Sequence, residues 1–352
     1  MPPRRSSVSN SATRADETEV SAAPIKIPTP EGTPEQVHLF EPEDLLAIDA
    51  ALAAKRALLV RGEPGTGKTQ LAAAAALRLD RPLVSVVVDA RTQSSDLLWQ
   101  YDAVARLADA QLQSVLLGRR QLEVDDAKAE DHIRAELKAH LDPLGYVRPG
   151  PLWWGINWKD ADVQAKRSRT AAPLYSGTCS PSNGVVILID ELDKGEADVP
   201  NGLLEALGGL SFSVPGRPEP VAHDPEVPPP LVIVTSNEER DLPDAFVRRC
   251  LAISLSLPVD RNELVALLVK RGRAHFKRGD VPEAALTMAA GMLATDRALA
   301  IEKGWFPRPG QAEYFDLLRA ASEIARRDGK DVVELLEKLA RFVLQKKPAD
   351  RS

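Results

Sequence analysis

The sequence predicts an α/β fold, a P-loop NTPase-type parallel sheet sandwiched by helices, followed by a small all-helical domain. Three observations carry this. Short apolar runs without alternation recur at 57–60, 83–88, 185–189, 231–234 and 251–257, the pattern of strands covered on both faces. Helix-patterned segments separate them, as a parallel sheet requires. After Pro258 the chain holds only helical patterns, at 260–278, 281–299, 310–327 and 330–346.

Residues 1–34 are rich in Ser, Pro, Ala and charge and are expected to be a disordered tail. The nucleotide-binding α/β domain is expected over 35–258 and the helical lid over 259–352. Leu45, Leu46, Ile48 and Leu52 recur at helical spacing. The strand Ala57–Val60 then leads into a glycine loop and an Ala/Leu-rich helix from Gln70 to Leu79. The stretch from Lys68 to Asp190 is far longer than one helix and one strand need, so an insert is expected at about 111–160. Its first part is charged and helical, and its second part is rich in Pro, Gly and Trp.

Composition narrows the function classes. Hydrophobic residues make up 44% and charged residues 27%, the proportions of an ordinary globular protein. A net charge of −6 and a pI near 5.6 count against nucleic acid as the main ligand. Two cysteines, Cys179 and Cys250, do not make a disulfide framework, so a reducing, cytoplasmic setting is expected. The five histidines are scattered, with none at metal-ligand spacing. No apolar run approaches bilayer length, and no apolar stretch follows Arg4-Arg5 as a secretory signal would need.

The loop Gly62-Glu63-Pro64-Gly65-Thr66-Gly67-Lys68-Thr69 fits G-x-x-x-x-G-K-[ST], with Gln70 next in the following helix. Its glycines let backbone N–H groups turn toward phosphate oxygens. Lys68 reaches the β- and γ-phosphates of ATP, and the Thr69 hydroxyl takes Mg²⁺. The helix N-terminus favours the same anion. Asp190-Glu191 ends the third strand, where α/β sheets place ligands. Phosphoryl transfer needs one carboxylate for the metal, here Asp190, and one for the attacking water, here Glu191. Asn237 ends the fourth strand, where a neutral amide can bond both water and phosphate, or simply turn the chain. Arg248 and Arg249 are either surface ion-pair partners or donors to the transferring phosphoryl group.

Together Gly62–Thr69, Val185–Lys194, Val234–Asn237 and Leu242–Arg249 resemble the AAA+ ATPases, and specifically the MoxR-like group. Thr235-Ser236-Asn237-Glu238-Glu239-Arg240-Asp241-Leu242-Pro243-Asp244-Ala245-Phe246 is the most telling segment. The resemblance spans about 35–345. It implies a five-stranded domain, a helical lid and a homo-oligomeric ring, usually hexameric. It also implies Arg249 as a finger into the neighbouring subunit's site, an insert near the second helix and a hairpin before the fourth strand, for which 210–223 is the candidate. The family's basic lid residue on the γ-phosphate has no direct match: Gln311 stands nearest that position, and Arg308, just before it, is the candidate. The implied activity is ATP hydrolysis that remodels or activates a client protein, often one with a von Willebrand factor A domain. A nucleotide-dependent assembly switch and a DNA-handling ATPase are the other readings.

Trp153, Trp154 and Trp158 either form a partner surface or pin the insert to the sheet. Lys270-Arg271-Gly272-Arg273 and Lys277-Arg278 read as a solvated face or subunit contact rather than a nucleic-acid patch. Cys250 is either lowered in pKa by Arg249 or a small buried residue.

Overall fold

The computed structural model describes residues 23–29, 35–121, 141–277 and 279–344. β1 (Ile25–Ile27) pairs antiparallel with β2 (Gln36–His38). There follow α1 (Pro42–Ala54), β3 (Leu58–Arg61), α2 (Lys68–Arg78) and β4 (Leu83–Val87). β5 (Trp99–Tyr101) leads into α3 (Ala103–Gln121), and the chain returns through β6 (Val147–Pro149). α4 (Pro151–Ile156) and α5 (Trp158–Arg167) come next, then β7 (Val186–Asp190) and α6 (Asp198–Gly209). A short hairpin, β8 (Ser211–Phe212) and β9 (Val221–Ala222), precedes β10 (Leu231–Ser236), α7 (Asp244–Val247) and β11 (Leu251–Ser254). The helical domain is α8 (Arg261–His275), α9 (Glu283–Glu302), α10 (Gln311–Asp328) and α11 (Val332–Val343).

The central sheet is parallel, in the order β11-β3-β10-β7-β4. Its side chains divide between two cores with the strand period of two. Leu58, Val60, Val186, Leu188, Leu231 and Ile233 share one core with Ile48 of α1 and Leu71, Ala72, Ala74 and Ala75 of α2. Leu59, Ile187, Ile189, Val232 and Val234 share the other with Trp153, Val199 and Leu203. This double coverage explains the unbroken apolar runs. Small residues let helices sit close to the sheet. A Cβ on Gly155 of α4 would lie 2.1 Å from Ile187 Cδ1, so no larger residue fits there without displacement.

The structure corrects two expectations from sequence and decides a third question. Residues 25–27 are not tail: β1 packs Ile25 and Ile27 against the core that includes α2, and its pairing partner β2 supplies the ladder that makes so short a strand possible. The rest of the proposed tail, 1–22 and 30–34, lies outside the described residues. The insert runs from β5 to β6, because those two strands pair with each other. α4 and α5 follow that pair, and the buried face of α4 belongs to the sheet core. Residues 122–140 of the insert lie outside the described residues. Of the two readings of the tryptophans, packing holds for Trp154: it is only 4% exposed, lies in the sheet core and meets Trp158 edge-on at 4.9 Å.

The hairpin is tied down from its loop. Arg217 donates from both terminal nitrogens to Asp160 and lies 5.5 Å from the Trp153 ring. Trp153 Nε1 donates to the same carboxylate at 2.8 Å. Burial alone would raise Asp160, but Arg217 and Trp153 hold its carboxyl below the ordinary value.

The lid has its own core of Leu268, Leu286, Leu293, Tyr314, Leu317 and Leu336. Among the described residues α9 alone is long and apolar enough to cross a membrane. Here it is a core helix, with Ala285, Ala289, Ala290 and Leu293 fully buried.

Candidate functional site

The glycine loop leaves the C-terminal end of β3 and closes onto the first turn of α2. Gly62 has φ +148°, and a Cβ there would meet the Leu255 carbonyl oxygen at 2.3 Å. Only glycine lets the loop start so close to the strand end of β11. Lys68, the first residue of α2, is buried. Its Nζ donates to the Gly62 carbonyl at 2.7 Å and to the Glu63 carbonyl at 3.0 Å. Burial pulls its ammonium below the ordinary value, and the charges of Asp190, Asp193, Glu191 and Glu238 oppose that shift. Buried charge of this kind is typical of a site built for an anion.

Two strand ends face the loop. The Thr69 hydroxyl donates to Asp190 Oδ2 at 2.8 Å, although 121 residues separate them. Thr235 Oγ1 donates to the other oxygen, Oδ1. Asp190 is thereby held from both sides, with hard oxygen donors gathered at one point. Glu191 adopts a left-handed conformation, φ 59° and ψ 44°. Non-glycine residues reach that region only when neighbours enforce it. Here its backbone N–H donates to Thr235 Oγ1 at 2.8 Å. Its carboxylate takes Lys194 Nζ on Oε2 at 2.8 Å and Asn237 Nδ2 on Oε1 at 3.3 Å.

A cleft of about 360 Å³ brings these groups together. Its lining includes Gly67, Lys68, Thr69, Gln70, Asp190, Glu191 and Asn237, with Gln311, Ala312 and Phe315 closing it from the lid. A larger recess of about 470 Å³ lies beside α3. Several of its polar groups are paired with one another, Arg148 with Asp102, Arg167 with Asp142 and Tyr146 with Asp109.

Most site residues expected from sequence line the cleft, and five do not: Gly62 and Thr66 shape the loop behind it, and Glu63, Arg308 and Arg249 point elsewhere. Glu63 turns its side chain away, to Arg297 Nη2 at 2.5 Å and Arg308 Nη1 at 2.9 Å. Arg308, expected on phosphate, is therefore placed on the phosphate loop's carboxylate and over the Phe306 ring. It does not line the cleft. Arg249 is exposed beyond α7 and outside its own chain's cleft. Cys250 is buried, and burial pushes its thiol up to about 11, so neighbouring arginine does not activate it.

Sequence reasoning missed Thr235, Asp193, Lys194 and Arg297. Asp193 is 2% exposed and accepts the backbone N–H groups of Asn237 at 3.2 Å and Glu239 at 2.9 Å. It sets the loop that presents Asn237. Its position three residues after Asp190 was the available signal, since a third acid in a strand-end turn invites a role in capping nearby N–H groups.

Residues 57–142 match the family described as AAA domain (dynein-related subfamily). The match takes in β3, the phosphate loop, α2 and β4, and ends ahead of Asp190 and Asn237. None of the curated proteins matches the chain. Among solved structures, a crystal structure described as a "putative ATPase" from Cytophaga hutchinsonii ATCC 33406 is 15% identical. It covers 86% of this chain and 80% of its own, with a TM-score of 0.35. The five-stranded parallel sheet flanked by helices, the phosphate loop at the end of β3 and the helical region that follows are consistent with an AAA+ P-loop fold.

Proposed function

We propose that this chain is an ATPase of the MoxR-like AAA+ type, which binds Mg²⁺-ATP in the cleft between sheet and lid and hydrolyses it. The observation that supports this most is the convergence of Lys68, Thr69, Asp190, Glu191 and Asn237 on that one cleft. Lys68 and the N-terminus of α2 bind the phosphates. Thr69 and Asp190 are the oxygen donors that would hold Mg²⁺, which when bound neutralises phosphate charge. Glu191 orients the attacking water and takes its proton as the water oxygen bonds to the γ-phosphorus. The bond to the β,γ-bridging oxygen breaks, and ADP and phosphate are the products. Asn237 holds Glu191 and offers the same water a neutral partner.

Arg249 fits a role in trans. It is exposed, and among the described residues it has no ion-pair partner. In this reading the working unit is a ring of this chain, six-membered by resemblance, with each Arg249 completing a neighbour's site. Turnover would remodel or activate a client protein, with a partner bearing a von Willebrand factor A domain as the first candidate. The setting would be cytoplasmic. A switch with little turnover has one observation in its favour: Lys194 Nζ pairs with Glu191 Oε2 at 2.8 Å.

The test is phosphate release as a function of protein concentration for the wild type, Glu191→Gln and Arg249→Ala. Turnover per subunit should rise with concentration as the ring forms. Each variant should be inactive alone. A mixture should regain activity, since some interfaces then pair an intact Glu191 with an intact Arg249. Concentration-independent turnover by a monomer would defeat the ring mechanism, and ATP binding without turnover by the assembled wild type would favour the switch.

A further inference from the structure

The phosphate loop carries an acid. From Gly62 to Thr69 the charged side chains are Glu63 and Lys68. A carboxylate there opposes what the loop does, because backbone N–H groups and a helix N-terminus attract an anion to the same place. The lid answers this acid with two cations. Arg297, in α9, donates to it from Nη2 at 2.5 Å, and Arg308, between α9 and α10, from Nη1 at 2.9 Å. Arg297 is buried, and its other terminal nitrogen donates to the Pro309 carbonyl at 3.0 Å, so the lid's own backbone aims it. Two guanidiniums against one carboxylate leave the group with one net positive charge. The loop without the lid carries the negative charge of Glu63 instead.

Glu63 is also part of the loop's shape. Its backbone carbonyl accepts the Thr66 hydroxyl at 2.9 Å and Lys68 Nζ at 3.0 Å. The carboxylate belongs to the same residue, so it lies within roughly a screening length of the Lys68 ammonium. Lid and loop also meet directly: a Cβ on Gly310 would lie 3.4 Å from the Pro64 carbonyl oxygen. The lid residues that line the cleft, Gln311, Ala312 and Phe315, carry no charge. What the two arginines add therefore reaches the site from behind the loop, through Glu63.

We infer that Arg297 and Arg308 are positioning residues of the nucleotide site that act through Glu63. With the lid docked they hold the acid behind the loop and outweigh its charge. When the lid leaves, it unmasks an anion on the phosphate loop, and that anion promotes nucleotide release. The inference rests on the ATP-binding reading of the cleft. Neither arginine needs to touch a phosphate for it to hold.

Suppression tests it, by calorimetry with Mg²⁺-ATP in a Glu191→Gln parent so that no turnover intervenes. The pair variant Arg297→Met/Arg308→Met leaves Glu63 unpaired and should weaken ATP about tenfold. Adding Glu63→Gln should bring affinity back to within about threefold of the parent, although it leaves no ion pair among these three positions. Release of a fluorescent ADP analogue, followed by stopped flow, should be about tenfold faster in the pair variant and near the parent rate in the triple variant. A plain mechanical tie between lid and loop gives the opposite result: the tie is broken in both, so the triple variant binds no better than the pair variant. That outcome, or parental affinity in the pair variant, overturns the inference. If the pair variant does not fold, Arg308→Met alone should lose about threefold and regain it with Glu63→Gln, and no loss or no recovery there overturns the inference equally. A parent that binds no ATP overturns the reading of the cleft and the inference with it, whereas absent suppression in a parent that binds ATP overturns the inference alone.

Discussion

Replacing Glu63 with alanine should weaken the docking of the lid far more than replacing its partner Arg297 with methionine. The asymmetry follows from who is buried. The Arg297 side chain is 7% exposed and Glu63 is 27% exposed. Arg297 keeps the Pro309 carbonyl at 3.0 Å, but without Glu63 its charge has no counterion. Breaking a buried pair from one side costs about 3–5 kcal/mol. Because water reaches the Glu63 end and Pro309 remains, about 2–3 kcal/mol is the expected loss. Arg297→Met removes the buried cation itself and leaves Glu63 with Arg308, so about 1 kcal/mol or less is expected. Urea unfolding by circular dichroism gives the global cost. Hydrogen exchange in α9 and α10 tells whether the lid opens locally. Equal costs, or a larger cost for Arg297→Met, would refute the reasoning and show that the pair is solvated in solution.

Lys68→Ala should abolish ATP binding detectable by calorimetry, whereas Glu191→Gln should bind within a few-fold of wild type and lose about 10²–10⁴ in kcat. Asp193→Ala strands two backbone N–H groups at a cost of about 2–3 kcal/mol; it should lower both the urea midpoint and kcat, and an unchanged kcat would separate Asp193 from the presentation of Asn237. Burial, aided by Arg271 and Arg319 respectively, pushes His38 and His275 down to about 4. Their folded-state values lie below the unfolded one, so stability is full above about pH 6.5 and falls by roughly 1.4 kcal/mol per pH unit per histidine toward pH 4. Urea midpoints between pH 7 and 5 should show this slope, and His275→Phe, which keeps the stack on Phe315, should roughly halve it, leaving the His38 part.

The sheet was legible because its strands are local runs of mostly apolar residues, and β3, β7 and β10 lead directly into site residues. Val185–Ile189 before Asp190-Glu191 announces both the strand and what it carries. The lid helices were legible for the same reason, to within a few residues at each end. Misreadings arose where a long-range partner decides the outcome. Ile25–Ile27 looks like tail until β2 pairs with it. The two readings of Trp153 and Trp154 could not be told apart from sequence, because the depth of the core around α4 that buries both is set by the sheet it packs on. Arg308 sits at the expected place in the chain and yet is captured by Glu63, 245 positions earlier. No periodicity or spacing reports an ion pair across that separation.

The fastening of the hairpin carries a mechanical consequence. Arg217, Asp160 and Trp153 join its loop to α4, and Gly155 of α4 lies flush against Ile187, three residues before Asp190. A pull applied at the hairpin would therefore be borne by the strand that ends in the two carboxylates, through rigid, close-packed matter with no flexible link between. Read in the other direction, a shift at the end of β7 has a stiff shaft along which to travel to the surface.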